Sequence, residues 1–161
     1  MNVKDIFIQR IDSGSAIQFI KRYHYSGKVV SNSSLHFGCF IAEKLIGVLS
    51  FGPSFDKKKI IGLVKGTAWN EFVELNRMAF INDTPRNTES RCIGVCIRLI
   101  KKHCPHIKWI VSFADATQCG DGTVYRAAGF KLCGIKKNRS IIRLPDGRVV
   151  AGMTFTKGTH I

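Results

Sequence analysis

Acidic side chains are scarce in this chain of 161 residues: 11 Asp and Glu face 25 Lys and Arg, for a formal net charge of +14. Such an imbalance surrounds the molecule with a positive field that attracts polyanions and releases their counterions on binding. Nucleic acid is the expected partner; the plain alternative is that the charge only keeps the protein soluble. The calculated pI of ≈ 9.9 lies above the value of about 9 that marks many nucleic-acid-binding domains. Long hydrophobic runs are missing too, and none nears the roughly 18 residues of a membrane span. The opening Met-Asn-Val-Lys-Asp leads straight into alternating sequence, so neither signal peptide nor membrane anchor is expected.

Cys-x-x-Cys pairs are absent among the six cysteines, at 39, 92, 96, 104, 119 and 133, which argues against a zinc knuckle or ribbon. Cys92 and Cys96 sit four apart among Ile93, Ile97 and Ile100 and read as small core residues of a helix. Cys104-Pro105-His106, beside His103, reads as the end of that helix rather than a metal cluster. There is no internal repeat, linker or low-complexity tail, and 45% of the residues are hydrophobic. One domain spanning 1–161 is expected.

What is present is an alternation of strand and helix signals. Residues 5–11 suggest a strand with Ile6 and Ile8 on one face, and Asp12 or Ser13 can cap a helix that ends near Gly27 with His24 and Tyr25 in its last turn. Leu35–Ile41 and Leu45–Phe51 flank a short connector and predict an antiparallel hairpin. A mixed loop follows, in which Lys57, Lys58, Lys59 and Lys65 alternate with apolar residues ahead of Trp69. It is either a solvated excursion or a surface that tracks phosphates and offers an aromatic face. Phe72–Phe80, a helix from 84–88 to about His103, and a strand at 108–113 form a βαβ unit, whose strands should be parallel neighbours. Phe130–Ile135 and a hairpin across Leu144-Pro-Asp-Gly-Arg148 are expected to complete the sheet. The fold class is α/β: a mixed, mostly antiparallel sheet with a central βαβ unit and flanking helices.

The most informative stretch is Trp109-Ile-Val-Ser-Phe-Ala-Asp115, followed by a Gly-rich loop and Tyr125-Arg-Ala-Ala-Gly-Phe130. An apolar run delivers a carboxylate to the carboxyl end of a strand, where α/β proteins tend to hold ligands. Asp115 and Tyr125 are therefore the leading candidates. The bland readings are a loop carboxylate capping nearby backbone and a tyrosine ring packed on the sheet.

His24-Tyr25, Glu74-Leu-Asn-Arg77, Pro85-Arg-Asn-Thr-Glu-Ser90, Ser112-Phe-Ala-Asp115 and Gly122-Thr-Val-Tyr-Arg-Ala-Ala-Gly-Phe130 occur in an order that resembles the GNAT acyltransferase fold. More sharply, the chain resembles the Mom family of bacteriophage DNA-modification proteins. That resemblance implies transfer of a carbamoylmethyl-type group to N6 of adenine, protection of phage DNA from host restriction enzymes, and double-stranded DNA as the partner, met in the bacterial cytoplasm. It implies site roles for Asp115, Tyr125, His24 and Tyr25, and it makes iron a cofactor to consider, held by His24, Asp115 and a tyrosine phenolate such as that of Tyr125. Imidazole with hard oxygen ligands suits iron better than a thiolate-rich set would.

One block departs from ordinary GNAT sequences, whose helix-opening turn carries glycines so that backbone N–H groups can approach the pyrophosphate of coenzyme A. Arg86-Asn-Thr-Glu-Ser-Arg91 has none, and Glu89 adds negative charge to the first turn. Acetyl-CoA is thus a doubtful donor, although Arg86, Asn87 and Ser90 could hold another small acyl or carbamoylmethyl donor, or a DNA phosphate. Adenine's exocyclic amine is a poor nucleophile, so a general base such as Asp115 is needed as attack proceeds, with Tyr125 as acid. Asn76 and Arg77 are expected to orient substrate, and Arg126, Lys136, Lys137, Arg139 and Arg143 to grip phosphates. Two rival readings stay open: an acetyl-CoA-dependent N-acetyltransferase acting on a protein or small amine, and a basic DNA-binding protein without catalysis. The sequence leaves open whether two copies act as a homodimer.

Overall fold

Asp12 opens the first long helix because its carboxylate accepts from Ser15 N at 2.8 Å, satisfying a donor that the helix start leaves unpaired. The structure is a computed structural model that describes residues 1–115, 121–137 and 141–151. In chain order the elements are β1 (Phe7–Arg10), α1 (Ser13–Tyr23), β2 (Leu35–Ile41), β3 (Lys44–Gly52), α2 (Lys57–Ile60), β4 (Phe72–Phe80), α3 (Thr88–His103), β5 (Trp109–Val111), α4 (Thr123–Ala127), β6 (Ile141–Arg143) and β7 (Val149–Ala151). They pack as two compact units, Met1–Lys131 and Leu132–Ile161. Among the described residues no helix is long and apolar enough to cross a membrane.

The first unit holds a five-stranded sheet in the order β1-β2-β3-β4-β5. The first three pairings are antiparallel and the last, β4 with β5, is parallel, as the βαβ reading requires. Ala42 and Glu43 turn the β2–β3 hairpin with φ of 47° and 65°, so two non-glycine residues adopt the left-handed twist that a two-residue hairpin favours. Val48 joins Ala16, Phe19, Ile20 and Ala79 in one apolar cluster, whereas its neighbour Leu49 joins Cys92, Ile93, Cys96 and Ile100 in another. Neighbours on a strand point to opposite faces, so α1 covers one face and α3 the other.

Two features shape the sheet for a ligand. Pairing of β4 with β5 runs from Phe72↔Trp109 to Glu74↔Val111, and among the described residues the two strands make no further rung. Opposite β3, the register of β4 shifts between Ser50 and Phe51, which leaves Asn76 as the extra residue of a β-bulge. Both features fall within three residues of each other on β4.

At the expected strand Phe130–Ile135, no strand pairing is seen among the described residues. The ring of Phe130 packs edge-on against Tyr125, and Leu132 and Ile135 are 77% and 86% exposed. Alternation makes this segment a strand candidate, but a strand also needs a partner, and the described residues supply none. The Pro-Asp-Gly hairpin does form, but β6 and β7 make a separate two-stranded sheet.

Candidate functional site

A cleft of about 440 Å³ opens where β4 and β5 part. Its walls include His24 and Tyr25 from the end of α1, Asn76 and Arg77 from β4, Phe113 and Asp115 from the exit of β5, and Tyr125 from α4. Six candidate residues scattered over about a hundred positions are thus brought to one place. A neighbouring cleft of about 270 Å³ at the start of α3 is lined by Arg86, Asn87 and Ser90. Thr84, Glu89, Thr123 and Val124 line both clefts, so the two adjoin.

His24 sits at the C-cap of α1, its backbone N–H donating to Ile20 O at 2.9 Å. Its Nδ1 accepts from Ser26 N at 3.2 Å and lies 2.7 Å from Ser26 Oγ. Because a backbone N–H can only donate, the neutral ring carries its proton on Nε2. Burial, and then the positive charge of Arg77, lower its pKa from 6.5 to about 4. His24 is therefore a neutral donor near pH 7, with its ring 4.3 Å from that of Tyr25. Gly27, at φ 59°, turns the chain directly after this pair.

Arg77 reaches the cleft from a strand position set by the bulge. Its Nε donates to Lys28 O at 3.1 Å and its guanidinium to Asn76 O at 2.9 Å. Asn76 lines the cleft but its carboxamide is engaged: Oδ1 accepts from Ser33 Oγ at 3.1 Å, and Nδ2 donates to Glu74 at 2.9 Å and to Pro53 O at 3.4 Å. Glu74 in turn accepts from Ser54 Oγ at 2.9 Å. This network ties the loop before β2, the end of β3 and the bulge together. The polar sequence Glu-Leu-Asn-Arg gave a signal for it, because a strand that breaks its alternation with two adjacent polar residues often carries a bulge.

At the start of α3, Asn87 has a left-handed φ of 66° and its side chain does not cap the helix. Asparagine tolerates this conformation better than most residues, so the turn is made without the glycine that ordinary GNAT sequences use. Ser90 Oγ donates to Asn87 O at 3.2 Å, and Thr88 Oγ to Pro85 O at 2.7 Å. Among the described residues, the buried Ser112 Oγ, one position past the last β4–β5 rung, has no hydrogen-bond partner. A helix start without a side-chain cap, opening onto the smaller cleft, fits a donor molecule with an anionic end.

A metal fits less well. Among the described residues no three His, Cys, Asp or Glu side chains converge. Ligation through His24 Nε2 would need the other tautomer, which could not accept from Ser26 N. His24, Asp115 and Tyr125, the set expected to hold iron, all line the cleft, but His24 would have to change tautomer to bind a metal through Nε2.

The basic candidates divide. Lys57, Lys58, Lys59 and Lys65 lie in the β3–β4 segment and line neither cleft. Arg126 is paired with Asp121 at 3.3 Å beside the cleft. Lys136, Lys137 and Arg143 belong to the second unit, and Arg139 lies outside the described residues. Sequence reasoning missed Phe113, Thr84 and Asp121 as cleft residues. Phe113 was legible in principle, because alternation past β5 puts it on the side of Asp115.

Comparison with known proteins now decides the family. The model of the Mom protein family matches residues 5–160. The chain belongs to the Mom family. It is 37% identical over 132 residues, 81% of its length, to the methylcarbamoylase mom of Escherichia phage Mu. The match covers 54% of that relative, so this chain spans about half its length. Among solved structures, a GNAT family acetyltransferase from Brucella melitensis in complex with acetyl-CoA is similar with a TM-score of 0.54 and 16% identity, covering 93% of this chain and 97% of that one. A possible acetyltransferase from Clostridium difficile 630 is similar with a TM-score of 0.56 and 10% identity, covering 82% and 94%. At such identities the likeness concerns the fold, which is that of the GNAT acetyltransferases.

Proposed function

We propose that this Mom-family chain is a transferase that modifies DNA, placing a carbamoylmethyl-type group on N6 of adenine. The observation that carries the reading is the cleft in which His24, Tyr25, Arg77, Asp115 and Tyr125 meet, in a chain matched to the Mom family over residues 5–160. The net charge of +14 supports a polyanionic substrate.

The extruded base enters the cleft, and the donor lies toward the start of α3 near Arg86, Asn87 and Ser90. The N6–carbon bond forms while the bond from that carbon to the donor's leaving group breaks. Asp115 takes the N6 proton, and the Tyr125 hydroxyl gives its proton to the leaving group. His24 donates through Nε2 to substrate and, being neutral, adds no second cation beside Arg77.

DNA from cells expressing the protein should resist restriction enzymes whose sites contain adenine, and remain sensitive to enzymes whose sites contain only G and C. Asp115→Asn should abolish that resistance. Resistance at both kinds of site would contradict an adenine target. Full sensitivity at both, together with acetylation of amines by acetyl-CoA, would favour the acetyltransferase reading instead; unmodified DNA held at full affinity would favour a non-catalytic binding protein.

A further inference from the structure

We infer that Phe55 is a wedge that enters the DNA base stack and helps displace the target base, an inference that rests on the DNA-modifying reading above. Phe55 is 93% exposed, the largest exposure of any bulky apolar side chain among the described residues, whereas its neighbour Ser54 is 5% exposed. The contrast arises from anchoring. Ser54 Oγ donates to Glu74, Glu74 accepts from Asn76, and Pro53 O accepts from both Asn32 and Asn76. The residues before Phe55 are thus pinned to the β4 bulge, and the ring stands out from a fixed base. Glu74 is followed by Leu75, Asn76 and Arg77, all lining the cleft, so the anchor of the wedge and a wall of the cleft lie on one strand, β4.

The surroundings suit DNA. Asp56 carries the nearest negative charge in sequence, and Lys59 pairs with it at 3.2 Å. Lys57 is folded over the rings of Trp69 and Phe72 at 4.7 and 5.5 Å. Lys58 and Lys65 are exposed, and no described acidic group pairs with either among the ion pairs of the structure. An apolar ring exposed to water amid cations has a complementary partner in a nucleic acid, whose phosphates face the lysines and whose base step receives the ring. Such insertion lowers the cost of unstacking, which an enzyme acting on an exocyclic amine must meet.

The test uses duplexes in which 2-aminopurine replaces adenine in varied flanking sequence, titrated with wild type, Phe55→Ala and Phe55→Leu, with no donor added. Wild type should raise the fluorescence as the base unstacks. Phe55→Ala should lose about tenfold of that rise while binding within about threefold of wild type, because its cations remain; Phe55→Leu should keep part of it. A full rise with Phe55→Ala, or no rise with wild type, overturns the wedge. So does a dimer that Phe55→Ala converts to monomer with its fluorescence response intact, which would assign the ring to contact with a second copy. A wedge-dependent rise without modified adenine in cells would sink the modification chemistry and leave the wedge standing; cellular modification undiminished by Phe55→Ala would do the reverse.

Discussion

His24 shows how one side chain is tuned by its neighbours. Burial and Arg77 lower its pKa from 6.5 to about 4, and burial also lowers that of His36, whose Nδ1 lies 2.7 Å from Ser50 Oγ. Between pH 6.5 and about 4 the unfolded chain therefore binds the His24 proton and the folded chain resists it. The stability this provides is complete above about 6.5 and lost as pH falls through that window. His24→Gln should flatten the fall in melting temperature between pH 6.5 and 4, and Arg77→Ala should raise the histidine's titration midpoint as followed by NMR. An unshifted midpoint near 6.5 in the wild type would contradict the account. At Asn76, replacement by Ala strips Glu74 and Ser33 of a buried partner and should cost about 1–3 kcal/mol in urea unfolding; a loss within about 0.3 kcal/mol would mean that the network is dispensable. His24 and Asn76 were named in the sequence as site candidates. Their actual states were not legible, because a tautomer depends on Ser26 geometry and an engaged carboxamide on partners 43 and 23 residues away.

Among the elements, β4 does most to position the site. Its boundaries were readable from the apolar pattern, and so was its parallel pairing with β5, because a helix of 16 residues connects them. The bulge was not read, since alternation marks faces and a bulge changes which face a residue takes. Gly47 lies opposite Phe80, a cleft residue, and a Cβ at Gly47 would collide with the Phe80 ring. Gly47→Ala should push that ring off its seat, destabilise the protein by about 1–3 kcal/mol and lower activity; unfolding and activity measured on the same preparation check both effects. The segment 130–135 has the right composition but pairs with no strand among the described residues, and Leu132 and Ile135 are exposed.

For the whole molecule, net charge was the most legible property and the least specific. On the proposed DNA-modifying reading, DNA affinity should fall steeply with salt. Replacing Lys58 and Lys65 together by Ala should weaken binding evenly across DNA sequences and lower the salt slope by about 2; an unchanged slope would remove the β3–β4 segment from the interface. Two clefts adjoin, one at a helix start and one where strands part, an arrangement that suits the proposed meeting of donor and acceptor. What the charge could not specify was chemistry, which came from the order of the motif blocks and the family they mark.

Nucleoside mass spectrometry tests the central claim most directly. DNA is taken from cells expressing wild type and Asp115→Ala, both soluble and at matched levels. The account predicts a deoxyadenosine heavier by one carbamoylmethyl group with wild type, and only unmodified deoxyadenosine with the variant. Unmodified adenine from both, or the same modified nucleoside from both, would contradict it.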